Sequence, residues 1–175
     1  SIGSLVARLG LDFGMDVVGF DPALSVEAAW RLPSEVQRMD NVQSLVSRSD
    51  FVSLHLPVLE STRGLVNGEM LNNFKKGSCL LNFAREEVVS TEAVVAALDN
   101  GQLGRYVADF PSPVLLGRND ALLMPHIGAS TAEAEENCAV MAANQLRAFL
   151  EHGNIRNSVN FPAIELERTT EFRIT

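Results

Sequence analysis

CLLNFAREEVVSTEAVVAALDNGQLGRYVADF, residues 79–110, reads as a strand, a polar loop, a helix and a second strand. Cys79–Phe83 is a short apolar run of strand length, followed at once by Arg85, Glu86 and Glu87. Ser90 stands as an N-cap before Thr91–Leu98, where apolar residues repeat at helical spacing, and Asn100-Gly101 marks the exit. Tyr106–Asp109 is again a strand-like run. Strands joined through a crossover helix run parallel, whereas an antiparallel pair needs only a tight turn.

The same alternation extends in both directions. Val17–Phe20, Val36–Met39 and Phe51–Leu56 read as strands upstream, and Leu122–Met124 downstream. Helices are expected at Ser4–Phe13, Val42–Arg48 and Glu69–Phe74. Near-continuous apolar strands predict burial on both sheet faces. The longest helix opens at Ser130 and Glu133, which have capping-box spacing. Its apolar-rich stripe runs through Cys138, Ala142, Gln145, Leu146, Phe149 and Leu150, and Gly153 supplies a left-handed stop. The expected fold is α/β, a doubly wound parallel sheet of Rossmann type that lacks its first strand, because a helix precedes Val17–Phe20. The last stretch, NSVNFPAIELERTTEFRIT, reads as a linker ending in the strand-like FRIT.

Composition narrows the function classes. The 175 residues suffice for one sizeable core, and 46% hydrophobic with 21% charged residues describe an ordinary globular chain. A net charge of −8 argues against a nucleic-acid partner, since phosphate binding needs a basic face. No apolar run reaches the roughly 18 residues of a membrane span. Cys79 and Cys138 lack metal-like spacing and read as reduced core thiols of a cytoplasmic protein. No metal site is expected.

The chemistry is expected beyond the carboxyl ends of the strands, where open parallel sheets bind ligands. Gly3 stands where the third glycine of a dinucleotide fingerprint would fall, and Asp21 closes a strand 18 residues later. A carboxylate there can accept from the ribose hydroxyls and would repel a 2′-phosphate, which favours NAD over NADP. As a bare residue, Asp21 before Pro22 reads more readily as a turn residue than as a ligand. Other strand ends carry His55 and Pro57, Asn82 and Arg85, and His126. Arginine offers a planar fork of donors matched to a carboxylate. Histidine titrates near neutrality and can take and return a hydroxyl proton. A 2-hydroxy acid presents both groups on adjacent carbons, so Arg85 and His126 should converge on one cleft rim.

NFAR, VVSTEAVVAALDNGQL, VADFPSP and LLMPHIGAST resemble the D-isomer-specific 2-hydroxyacid dehydrogenases, over Ser1 to about Pro162. The resemblance implies an NAD-binding domain at residues 1–153 of a longer enzyme. Residues 154–175 would be a linker and the start of a C-terminal ACT regulatory domain. The first strand and the first two fingerprint glycines would precede Ser1. It implies oxidation of 3-phosphoglycerate, ahead of glycerate or lactate, or else an inactive NAD-binding homologue. The full-length enzyme would be active and the isolated chain inactive. A cytoplasmic homodimer or higher homo-oligomer is implied, with a small 2-hydroxy acid as substrate and no nucleic acid or membrane as partner. Arg85 corresponds to the arginine on the substrate carboxylate and His126 to the general acid/base. Gly3, Asp21, His55, Pro57, Ala84, Asp109, Gly128 and Ala129 correspond to cofactor-binding positions, with Asp109 near the nicotinamide amide.

Two departures from the family pattern stand out. Glu86 replaces a glycine after Arg85, at a position where a positive φ would favour glycine. Pro113 falls where the family has the glutamate that partners its histidine, leaving Asp109 as the nearest carboxylate.

Overall fold

The strand Ser78–Asn82 (β4) lies inside the sheet of the computed structural model, which describes residues 2–158 and 160–165. It pairs in parallel on one side with Phe51–Leu54 (β3) and on the other with Leu103–Ala108 (β5), and β5 pairs with Ala121–Leu123 (β6). The sheet order is β3-β4-β5-β6. A separate parallel pair is formed by Val18–Gly19 (β1) and Gln37–Arg38 (β2). Among the described residues β1 and β3 are not paired with each other. The helices are Ile2–Asp12 (α1), Val26–Ala29 (α2), Val42–Arg48 (α3), Gly68–Leu71 (α4), Thr91–Asp99 (α5) and Ala132–His152 (α6). The four-residue α2 has no apolar period long enough to announce it.

The parallel α/β fold is the one expected from sequence, and α3 and α5 begin at the expected residues. Asn41 caps α3 through Ser44 N, and Ser90 caps α5 through Ala93 N. Burial of the strands is less complete than their composition predicts. Along β4, Ser78, Leu80 and Asn82 are buried while Cys79 and Leu81 are half-buried. Phe51 on β3 and Leu122 on β6 are exposed. One sheet face is dry and the other is partly covered, so the expectation of two dry faces is corrected.

The dry face carries the core. Leu80, Leu103, Tyr106 and Ala108 meet Val46 of α3, Leu71 of α4, and Val94, Ala97 and Leu98 of α5. Burying one such leucine stabilises by about 1.5–3 kcal/mol. At the start of β4 and β5 the backbones come close: a Cβ on Gly104 would lie 2.4 Å from Gly77 O, beside a register shift at Ser78/Cys79. Glycine at 104 is therefore required by approach of main chain to main chain.

Residues up to His126 form one compact unit and those from Ile127 a second. In the second unit α6 is capped by Thr131, whose hydroxyl accepts from Ala134 N, and not by the expected Ser130. Glu133 and Glu135 occupy its first turn and His152 its last, the favourable sense for the helix dipole. Gly153 ends it in the left-handed conformation, φ 64°. Cys138 is exposed on α6, so its reading as a core thiol is corrected; Cys79 is half-buried, and both thiols are free. Ile155 and Ile164 form an antiparallel bridge. The FRIT segment lies outside the described residues. No helix among the described residues is long and apolar enough to cross a membrane.

Candidate active site at the carboxyl edge of the sheet

Parallel register decides which side chains meet. Asn82 pairs with Ala108, and Ala108 with Leu123; these are the last residues of β4, β5 and β6. Arg85 lies three residues past Asn82, Asp109 one past Ala108, and His126 three past Leu123. All three leave the sheet at its carboxyl edge, on adjacent strands spaced about 4.8 Å apart. Leu54 pairs with Asn82, so His55 emerges at the same edge.

Asn82 shapes the loop that presents Arg85. It is fully buried; its Oδ1 accepts from Ala84 N at 3.1 Å and its Nδ2 donates to Arg85 O at 3.0 Å. A buried amide with both ends used in this way holds the loop against water that would otherwise compete for it. Ala84 is buried beneath the turn, and Arg85 is exposed. The guanidinium donates from Nη1 to Ala84 O at 2.7 Å, leaving the rest of its fork unengaged by any described hydrogen bond. Glu86 opens a 3-10 turn, Glu86–Val88, and does not have a positive φ. The missing glycine therefore imposes no left-handed strain there. Tyr106, buried behind this loop, has its phenol pushed up in pKa mainly by desolvation, with Glu86 and Asp109 adding to the rise.

His126 is held from two sides. Its Nδ1 lies 2.8 Å from Asp109 Oδ2, and the ring of Phe110 stacks on it at 4.8 Å between centroids and 25° between planes. The imidazole is half exposed while the Asp109 side chain is only 17% exposed. Asp109 Oδ1 is buried and has no hydrogen-bond partner among the described residues. Pro113 begins the 3-10 turn Pro113–Leu115, exposed and with no group able to bond the histidine.

The remaining candidates fall in three places. Gly3, in the first turn of α1, backs onto His55: a Cβ there would reach 3.3 Å from His55 Cβ. This is the close helix-to-strand approach for which a fingerprint's third glycine is used. His55 Nε2 shares a 2.8 Å hydrogen bond with Ser53 Oγ, and burial holds its pKa below the usual histidine value. Pro57 lies in the following loop, where its carbonyl accepts from Thr62 Oγ1 at 2.7 Å, and that same hydroxyl oxygen accepts from Leu59 N. Asp21 follows β1 by two residues and its Oδ1 accepts from Ala23 N, so it forms the turn that its proline neighbour suggests. Gly128 and Ala129 occupy a turn of the second unit, closed by Ser130 N to Ile127 O. Asn82 reads from sequence as a polar strand-end residue, whereas Phe110 and Thr62 are contributors not singled out there. A buried amide ending an apolar strand is a readable signal for Asn82; nothing in DFPSP signals a stacking role for Phe110.

Cys79 offers no competing chemistry, because burial pushes its thiol up and away from thiolate. No group of three metal-ligating side chains occurs among the described residues. The donor set suits a dinucleotide instead: a glycine whose Cβ would crowd the strand end, and a buried carboxylate oxygen awaiting a donor.

Comparison with known proteins decides the family. Residues 1–128 match the family model described as "D-isomer specific 2-hydroxyacid dehydrogenase, NAD binding domain". The chain belongs to this family. Its cofactor is therefore NAD. The D-3-phosphoglycerate dehydrogenase of Synechocystis sp. is 34% identical over 169 residues, covering 93% of this chain and 30% of that protein. The hydroxypyruvate reductase of Thermotoga maritima is 35% identical over 149 residues, covering 80% of this chain and 47% of that protein. Among solved structures, a glyoxylate reductase from Paecilomyes thermophila superposes with a TM-score of 0.77 at 30% identity, over 91% of this chain and 49% of its own. The chain thus spans from under a third to about half the length of these family members.

Proposed function

We propose that this chain is the cofactor-binding part of an NAD-dependent D-3-phosphoglycerate dehydrogenase. The reaction is oxidation of 3-phosphoglycerate to 3-phosphohydroxypyruvate, on the route to L-serine. The observation that carries the catalytic part is the register Asn82–Ala108–Leu123, which sends Arg85, Asp109 and His126 out at one edge. The phosphorylated substrate is supported by the similarity to D-3-phosphoglycerate dehydrogenases over nearly the whole chain.

The chain's own residues divide the work. Arg85 binds the substrate carboxylate with the free part of its fork. His126 takes the C2 hydroxyl proton through Nε2, the nitrogen not facing Asp109. Bound NAD would supply the acceptor for the C2 hydride. Asp21 holds the ribose hydroxyls, Gly3, His55 and Pro57 face the phosphate and ribose portion, and Ala84 and Asp109 line the nicotinamide end; by resemblance Gly128 and Ala129 are cofactor-binding positions as well. The NAD-binding domain is read as residues 1–153, and 154–175 as a linker running toward an ACT domain. By resemblance the enzyme is cytoplasmic and a homodimer or larger homo-oligomer.

The test is NAD reduction by full-length protein with D-3-phosphoglycerate, glycerate and D-lactate. We expect phosphoglycerate to be preferred. His126→Ala should lower kcat roughly 10²–10⁴-fold, and Arg85→Ala should mainly raise KM. Preference for glycerate or lactate selects a second reading, a dehydrogenase of another 2-hydroxy acid, which the similarity to a hydroxypyruvate reductase favours. Binding of NADH without turnover selects a third, an inactive homologue, favoured by Pro113 and Glu86.

A further inference from the structure

We propose that Asp109, the residue directly after β5, is the positioning residue of His126 in place of an acid at position 113. The proposal rests on the reading of His126 as the proton acceptor and deepens it.

Four observations carry it. Asp109 Oδ2 and His126 Nδ1 lie 2.8 Å apart, within hydrogen-bond range. An ionised carboxylate only accepts, so Nδ1 must carry the hydrogen. The neutral ring then has its lone pair on Nε2, the nitrogen that a substrate hydroxyl can reach. The imidazole of a flexible histidine would share both tautomers; here one is selected. The carboxylate itself is well anchored, since it directly follows Ala108, which is fully buried, and its own side chain is largely covered. Phe110, the next residue, stacks on the imidazole and restricts its turning. Position 113, by contrast, holds a proline that neither donates nor accepts through its side chain.

The pairing uses one oxygen. Oδ1 is buried without a partner among the described residues, so Oδ2 alone makes the described side-chain hydrogen bond. Glu86, the other acid near this edge, makes no described hydrogen bond or ion pair with His126.

The experiment reads the tautomer directly, by long-range ¹H–¹⁵N correlation of the chain's three histidines at a pH where imidazole is neutral. Wild-type His126 should show a protonated Nδ1 and a free Nε2. Asp109→Ala should shift it toward the Nε2–H form, Asp109→Glu should retain Nδ1–H, and Glu86→Gln should leave it unchanged. An Nε2–H tautomer in the wild type overturns the proposal whether or not any variant folds, as does a spectrum that Asp109→Ala leaves unaltered. In the full-length enzyme Asp109→Ala should lower kcat at least tenfold, with KM for the hydroxy acid unchanged and partial recovery in Asp109→Glu. Loss of such an orienting carboxylate can cost up to about 10⁴. Unaltered kcat would remove the positioning role. The tautomer does not depend on turnover, so an inactive enzyme with Nδ1–H intact would count against the proposed function alone.

Discussion

Two parts of the first unit are built to different standards. From Val46 to Leu115 every element contributes to one buried cluster. From Ile2 to Leu45 no apolar side chain among the described residues is fully buried, and Ile2, Leu5, Leu9, Phe13, Val26 and Trp30 are all exposed. β1 and β2 are two residues each, whereas β4 and β5 are five and six. The difference parallels the proposed roles. Arg85 and Asp109 follow strands whose last residues, Asn82 and Ala108, are fully buried, and His126 is held by Asp109 and Phe110. Asp21 stands beyond a minimal strand pair, shaped by its own turn. Under the proposed roles, proton transfer at His126 is the step that needs fixed geometry.

The contrast breaks first at Leu80. This side chain is completely buried in β4, and Leu80→Ala should cost about 2–5 kcal/mol of unfolding free energy. Urea denaturation measures it, and a loss under about 1 kcal/mol would mean that the sheet is no better packed than the β1–β2 pair. Gly104→Ala comes next. Its methyl would meet the Gly77 carbonyl, a main-chain atom that cannot rotate aside, and overpacking of this kind costs about 1–3 kcal/mol. A variant as stable as wild type would show that the two backbones can part without cost.

Gly104 also marks where the sequence stops being legible. Tyr106–Asp109 reads as a strand because its residues do, but β5 starts at Leu103, since its glycine is selected by a partner 27 positions away (104 − 77). Local capping is readable: Asn41 and Ser90 begin their helices as their types predict. Capping-box spacing to Glu133 points to Ser130 for α6, yet the structure caps the helix with Thr131. Arg85 and His126 are legible as strand-end residues of the right chemistry. The bond from Asp109 to His126 is legible only as the nearest carboxylate left once position 113 is a proline, because the contact itself requires that β5 and β6 pair in a known register. Nor can composition show that Phe51, Leu122 and Cys138 are exposed, since exposure depends on what is packed opposite.

His55 sits where the two parts touch, under Gly3. Its pKa is lowered by burial, so the unfolded chain takes up a proton near pH 6.5 that the folded chain resists. Its contribution to stability is therefore present above the unfolded value and is lost as pH falls toward the folded one. Thermal unfolding followed from about pH 8 to about pH 5 should show a larger fall in Tm for wild type than for His55→Gln. Parallel profiles would show that α1 does not shield the ring, and the two parts would then be unconnected at this point.

The smallest effect is expected at Leu9, half exposed on α1. Surface substitutions away from buried features change stability by no more than about 0.5 kcal/mol, and alanine is the better helix former. Leu9→Ala should thus be neutral by denaturation. A loss above about 1 kcal/mol would require burial that the structure of the chain does not provide, with the α1 face covered in solution. Running the variant at several protein concentrations separates the sources of such burial. A loss that fades on dilution points to a second copy of the chain on that face, and a constant loss to contacts within one chain. Either result would erase the difference in packing between the two parts, and with it the reason to expect Asp21 to rest on the softer support.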